Sequence, residues 1–164
     1  MIELEEKVRI HQKTLTVSQI VAGIAGICFY DEVNDLYYPL PKEFVALAEE
    51  HLPGTKEDKD VSVTVLAGAT TGSNKVSAES GTVFYVEKII VSGSPPSGKY
   101  TIRIGGVDVF KDRALAAETV DLVSELGKRV RGDSVEILVT LDSAPTSDTT
   151  IDIKATVITR KALV

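Results

Sequence analysis

From Val61 to Val164 apolar and polar residues alternate with a period of two, and this limits the fold more than any other feature of the chain. Val61, Val63 and Val65 are separated by Ser62 and Thr64, and Tyr100, Ile102 and Ile104 by Thr101 and Arg103. Val135, Ile137, Val139 and Leu141 repeat the pattern against Ser134, Glu136 and Thr140, as do Ile151, Ile153, Ala155 and Val157 against Asp152, Lys154 and Thr156. Successive strand side chains point to opposite faces, so each run makes one wet and one dry face, as a half-buried antiparallel strand does. Arg103 is thereby placed on a wet face and Ile102 on a dry one.

The run Val83 to Val91 breaks the alternation. Val83, Tyr85, Ile89 and Val91 fall on one side and Phe84, Val86 and Ile90 on the other, so this strand is expected to be covered on both faces. Turn residues cluster at Gly68 to Asn74, Ser92 to Gly98, Gly105-Gly106 and Ser143 to Asp148, the spacing expected of a sandwich or barrel. Ala114 to Leu126 interrupts the pattern as one helical turn or a crossover that carries the chain from one sheet to the other. The expectation is a mainly β protein: an eight-strand, antiparallel β-sandwich, jelly-roll-like, over residues 60–164.

Residues 1–59 read differently, as an N-terminal arm or attachment region. A strand is expected from Lys7 to Val17. The prolines in Tyr37-Tyr38-Pro39-Leu40-Pro41 argue against regular pairing there. A short helix is expected after Pro41, with Phe44, Val45, Leu47 and Ala48 at helical spacing and Pro53-Gly54 ending it. Lys56-Glu57-Asp58-Lys59-Asp60 reads as a solvated linker, with cation binding the weaker option. The apolar run Ile20 to Tyr30 falls short of the roughly 20 residues a membrane helix needs. Glu3, Glu5 and Glu6 stand where a signal peptide carries positive charge.

Chemistry is hard to place on this pattern. The net charge is -6, and the one basic concentration is Lys128, Arg129 and Arg131, which argues against a nucleic-acid partner held by charge. The single Cys28 allows no internal disulfide. The two histidines, His11 and His51, lie in the arm, neither near a Cys nor at ligand spacing from each other, and the strands of residues 60–164 carry none with which to build a histidine metal centre or a nucleophile–base pair. A carboxylate pair such as Asp142 with Asp148 or Asp152 is open to glycosidase-type work, but turn aspartates more commonly cap local backbone. Gly105-Gly106 has no Lys-Ser/Thr or helix after it, unlike a phosphate loop. Arg131-Gly132-Asp133 matches an integrin-binding string, but it immediately precedes a strand, where Gly and Asp serve a turn. No catalytic, cofactor-binding or metal-ligating residue is assigned, and no cofactor is expected.

The segments GTVFYVEKIIVSG, KYTIRIGGVDVF, ETVDLVSELGKRVRGDSVEILVTLDS and TTIDIKATVITRK together resemble the β-sandwich modules of tailed-phage and related virion proteins, of the capsid-decoration or fibre-head type. In those modules a V-x-K-I-x-V-S strand precedes an I-x-I-x-G strand, and a G-D-S-V-x-V turn-strand precedes the last pair. The likeness covers about Val76 to Arg160 and carries over no catalytic residue. It implies a non-enzymatic virion structural protein, a capsid decoration (cement) or tail-associated subunit. Its expected partners are itself, as a homotrimer, and the major capsid or other virion proteins, with no nucleic acid and no membrane span, and its location is the virion, after assembly in the host cytoplasm. The competing reading is a carbohydrate-binding or adhesion module. Such sites stack sugars on exposed aromatics, and the chain has no Trp, with Tyr30, Tyr37 and Tyr38 all in the arm.

Overall fold

The computed structural model describes the strand backbones within residues 7–39 and, with side chains, residues 49, 50 and 52–163. The chain divides into two compact units, Met1–Leu52 with Ala162–Val164, and Pro53–Lys161. In the first unit β1 (Lys7–Ile10) pairs with β2 (Lys13–Thr16), so the single strand expected from Lys7 to Val17 is a hairpin. β3 (Ala22–Gly23), β4 (Gly26–Asp31) and β5 (Leu36–Pro39) form a three-stranded antiparallel sheet. Pairing of Tyr37 and Tyr38 with Tyr30 and Phe29 corrects the expectation that the prolines prevent it. Pro39 ends an edge strand, where a missing N–H is tolerated. Of the expected helix, Glu49 and Glu50 are helical, and the Glu49 carboxylate accepts the Leu163 N–H at 2.9 Å. Phe44 to Ala48, His11 and His51 lie outside the described residues.

The second unit contains β6 (Gly54–Asp60), β7 (Val63–Val65), β8 (Thr71–Ser77), β9 (Thr82–Val91), β10 (Gly98–Ile104), β11 (Val107–Ala114), β12 (Glu118–Asp121), α1 (Leu122–Leu126), β13 (Val130–Gly132), β14 (Ser134–Leu141), β15 (Thr149–Ile151) and β16 (Ile153–Lys161). One sheet has the order β11-β10-β14-β8. The other runs β12-β9-β16-β6, with β13 also on β9, and β15-β7 form a small third sheet. All pairings are antiparallel. The two large sheets contribute to one buried cluster: Ile102, Ile104, Ile137 and Val139 from the first, and Phe84, Val86, Ile89 and Ala155 from the second. The dry faces read from alternation are therefore the buried ones, Val61, Val63 and Val65 included.

Three readings change. The charged run Lys56 to Asp60 is a strand, hydrogen-bonded along β16 from Gly54↔Arg160 to Asp60↔Lys154, so the unit boundary falls near Pro53 rather than at residue 59. Thr71 to Asn74, read as turn, belongs to β8. On β9 the faces differ from simple alternation. Val86 pairs with Val157 and Lys88 with Thr156, leaving Glu87 as a bulge. One extra residue inverts the phase, so Phe84, Val86, Ile89 and Val91 share the inner face. Val83 and Tyr85 are buried on the opposite side, with the Arg160 guanidinium 4.9 Å from the Tyr85 ring centre.

The interruption at 114–126 is both things expected of it. The chain leaves β11 in one sheet and enters β12 in the other, and then makes one helical segment. Asp121 caps that helix by accepting the Ser124 N–H at 3.0 Å, and Gly127 ends it at φ 73°, where a side chain would be strained. Gly105 and Gly106, with φ of 57° and 80°, make the two-residue turn between β10 and β11.

Two measurements check this architecture. Ile102→Ala opens a cavity between the sheets and is expected to cost about 2–5 kcal/mol in a urea melt, against about 1 kcal/mol or less for Arg103→Ala on the outer face. A chain starting at Pro53 is expected to keep its far-ultraviolet β signal and cooperative melt. Removal of residues 1–59 strips β6 from β16, leaving that side of β16 unpaired, and is expected to lower the melting midpoint below that of the chain starting at Pro53; equal midpoints would show that β6 adds nothing to the stability of the sheet.

Candidate functional site

One network of ionisable side chains joins the β11 and β12 edges of the two sheets, and it follows from what these strands carry. Tyr100, on the dry face of β10, is buried, and its hydroxyl needs a partner. It donates to Glu118 Oε1 on β12 at 2.6 Å. Glu118 Oε2 accepts from Arg113 Nη2 on β11 at 3.0 Å, and Arg113 Nη1 donates to Glu125 Oε2 on α1 at 2.9 Å. The same guanidinium lies 5.0 Å from the Phe110 ring centre. Arg113 thus joins β11, β12 and α1, and Tyr100 fixes the carboxylate from below.

The electrostatics follow from this geometry. Burial, then the hydrogen bond to Glu118, pushes the Tyr100 phenol well above its usual range, so it stays neutral and donating. The bond to Glu118, followed by that to Glu125, raises the Arg113 guanidinium further, and burial opposes this. Burial alone would raise Glu118, but hydrogen bonds from Arg113 and Tyr100 outweigh it and hold the carboxyl below its ordinary value. Both Glu118 oxygens are occupied by donors, so the group acts as an ionic brace between the sheets.

Other charged groups are braces too. Arg103 Nε bonds Asp108 at 2.7 Å and its Nη1 bonds Glu136 at 3.1 Å, linking β10, β11 and β14 across the outer face. Arg103, expected on a wet face, is therefore committed to pairing with Asp108 and Glu136. At the β9 bulge Glu87 pairs with Lys56 of β6 and with Arg129 Nε at 2.7 Å. Lys56 first, and then Arg129, holds Glu87 below its usual range against the opposing effect of burial.

The turn aspartates separate into local roles. Asp142 accepts from the Ser97 hydroxyl, and Asp148 accepts the Ala67 N–H at 2.9 Å. The charged run of β6 is likewise taken up along its ladder: Asp58 by Thr156 at 2.6 Å, Glu57 by Lys59 at 2.9 Å and by Thr159 at 2.7 Å. Among the described residues no three His, Cys, Asp or Glu side chains gather as a metal site. Arg131 and Gly132 lie in β13 rather than at a loop tip, Arg131 opposite Tyr85 and Gly132 opposite Phe84. A Cβ on Gly132 would lie 2.6 Å from Gly105 N, so this glycine serves a close backbone approach. Cys28 lies on β4, opposite Pro39. Sequence reasoning missed Arg113, Glu118 and Glu87; the one available signal was a tyrosine on a dry face, whose hydroxyl had to be satisfied.

Comparisons with family models, with curated proteins and with solved structures returned no match.

The brace has a pH signature. Because the folded Glu118 carboxyl sits below its ordinary value of 4.5, its contribution is full above that value and is lost as pH falls through the folded one. Glu118→Gln is therefore expected to lower stability at pH 7, with the gap to the parent narrowing in urea melts as the pH is taken down through and below the ordinary carboxylate range. A gap that stays constant with pH would show that the carboxylate charge contributes nothing. Tyr100→Phe, which removes one hydrogen bond to that charge, is expected to cost about 1.5–3 kcal/mol at pH 7.

Proposed function

We propose that the second unit is a jelly-roll module, and that the chain is a non-enzymatic structural subunit of a tailed-phage type virion, a capsid decoration or tail-associated protein that stabilises the particle through subunit contacts. The observation that carries the fold reading is strand order. Take β6, β8, β9, β10, β11, β12 with β13, β14 and β16 as first to eighth. One sheet then holds the first, eighth, third and sixth, and the other the second, seventh, fourth and fifth. Every connection except the β10–β11 hairpin passes between sheets, as two interlocked Greek keys require.

A fold of this kind hosts many functions, so the step to a virion role rests on further support. The sequence segments that resemble virion modules are β9, β10–β11, β12–β14 and β15–β16, which are the framework of this sandwich. The charged side chains on that framework are spent on bracing strands to one another, which suits a part whose work is to keep its shape. Self-association as a homotrimer, and contact with a capsid or other virion protein, complete the reading.

Sizing with light scattering at micromolar concentration is expected to give three times the chain mass of 17.6 kDa. A persistent monomer that binds on a glycan array would replace this reading with the adhesion module.

A further inference from the structure

Among the described residues the two large sheets have four edges, and three are closed to further pairing. β11 has an irregular register and a left-handed Asp112. β6 is charged at every position from Lys56 to Asp60. β12 and β13, which share one side of β9, are four and three residues long and carry Glu118, Asp121 and Arg131. Irregularity, charge and shortness are the means by which edges are kept from pairing. β8, the outer strand of the first sheet, has none of them: it runs for seven residues in unbroken register with β14, and Lys75 is its one charge.

The backbone groups that β8 turns outward follow from its ends. Leu141 N–H donates to Thr70 O at 2.7 Å, and Ala78 N–H donates to Asp133 O at 2.8 Å. Bonded and unbonded positions alternate along an antiparallel pair. Gly72, Asn74 and Val76 therefore spend their N–H and C=O groups on β14, and Thr71, Ser73, Lys75 and Ser77 point theirs away from it. The side chains of these same four residues are exposed. β7 meets β8 through its inner face instead: Asn74 Nδ2 donates to Ser62 O at 2.8 Å, and a Cβ on Gly72 would lie 2.9 Å from Thr64 O. Among the described residues β8 pairs with β14 alone, so its outward row of donors and acceptors has no strand against it.

We propose that β8 is a docking edge for an extended segment of a different polypeptide, which adds as a further strand with a carboxylate opposite Lys75. A row of alternating N–H and C=O groups is matched by another extended backbone, and side chains then set the preference. Lys75 faces Glu136 on β14, but that carboxylate also takes Arg103 Nη1 at 3.1 Å. A second carboxylate, across from Lys75 on the open side, makes a favourable cross-strand pair. The β8 of a second copy, TGSNKVS, has no carboxylate to offer, so charge complementarity selects a different chain. On the inner face Val76 packs against the core cluster, which favours β-branched apolar residues at the incoming strand's inward positions. The inference goes beyond the reading above and holds for any protein that presents such a segment.

The probe is a capped, fluorescently labelled peptide, Val-Thr-Val-Glu-Val-Thr-Val, whose sequence reads the same in both strand directions, added to the full chain. In the chain alone, hydrogen exchange is expected to be fast at the Thr71, Ser73, Lys75 and Ser77 amides and slow at Gly72, Asn74 and Val76. The peptide is expected to bind saturably by anisotropy and to slow exchange at the four outward amides. N-methylation at its Thr and Glu residues is expected to weaken binding about tenfold or more, and replacing its Glu by Lys about threefold. Ser73→Pro removes one outward N–H and none of the bonds to β14, a place where an edge strand tolerates proline. It is expected to keep the parent's far-ultraviolet spectrum and to bind the peptide about tenfold more weakly. Lys75→Gln is expected to remove the preference for the Glu peptide over the Lys peptide. Outward amides already protected in the chain alone would show the edge to be filled and overturn the proposal. So would the absence of binding at about millimolar peptide, or binding indifferent to N-methylation and to Ser73→Pro. Protection that grows with chain concentration, together with a doubled mass, would make a second copy the occupant and overturn the choice of partner.

Discussion

Strand β9 is the element on which the rest of the second unit depends. It is hydrogen-bonded to β16 along one side and to β12 and then β13 along the other, so it holds four strands in a single sheet. Its inner side chains, Phe84, Val86, Ile89 and Val91, supply that sheet's share of the core. Its bulge at Glu87 falls where the neighbouring edge passes from β12 to β13, the interval filled by α1 and the loop to Val130. Arg129 from that loop and Lys56 from β6 both reach Glu87. One carboxylate thus pins the place where the sheet changes partners, and the bulge is what aims it there.

A two-sheet structure must also manage its open edges, which invite pairing with other chains. β11 is interrupted by two register irregularities, and Asp112 adopts a φ of 53°, a left-handed conformation that spoils a flat edge. β6 carries Lys56, Glu57, Asp58, Lys59 and Asp60, and Lys59 lies 5.9 Å from the Phe84 ring centre. Charges along an edge strand oppose the addition of another strand. Pairing of another strand at the β11 and β6 edges is therefore disfavoured.

Legibility in the sequence followed burial. Where a strand has one wet and one dry face, as at Tyr100 to Ile104 and Val135 to Leu141, alternation identified both the strand and its buried side, because register and burial are the same constraint there. β6 escaped notice because it lies beyond the core and has no dry face to reveal it. The β9 faces were misread because a bulge is set by what lies across the sheet, here Val157 and Thr156, and leaves no local mark. Arg113 and Glu118 lie only five residues apart, across the crossover expected at 114–126, but what brings their side chains together is that β11 and β12 are edge strands of different sheets, which the pattern around the crossover does not encode. Pro39 misled in the opposite sense: a proline excludes a central strand but permits the end of an edge.

The charges are distributed so that their value lies in placement more than in stability. Exposed ion pairs contribute little individually, and the large sheets are held by buried Ile, Val, Phe and Tyr. Yet the pairs recur in register across strands: Arg103 opposite both Asp108 and Glu136, Glu136 opposite Lys75, Asp121 opposite Lys88, Asp60 opposite Lys154. Opposite charges at these positions favour one register, since a slip by one residue would move every charge to the core face. The outer faces of the second unit are thereby committed to charge and solvated. The loops follow the same rule: Asp142 and Asp148 lie in the β14–β15 loop, and hydrogen bonds from the Ser97 hydroxyl and the Ala67 N–H fix both carboxylates, so charge serves placement there as it does along the strands.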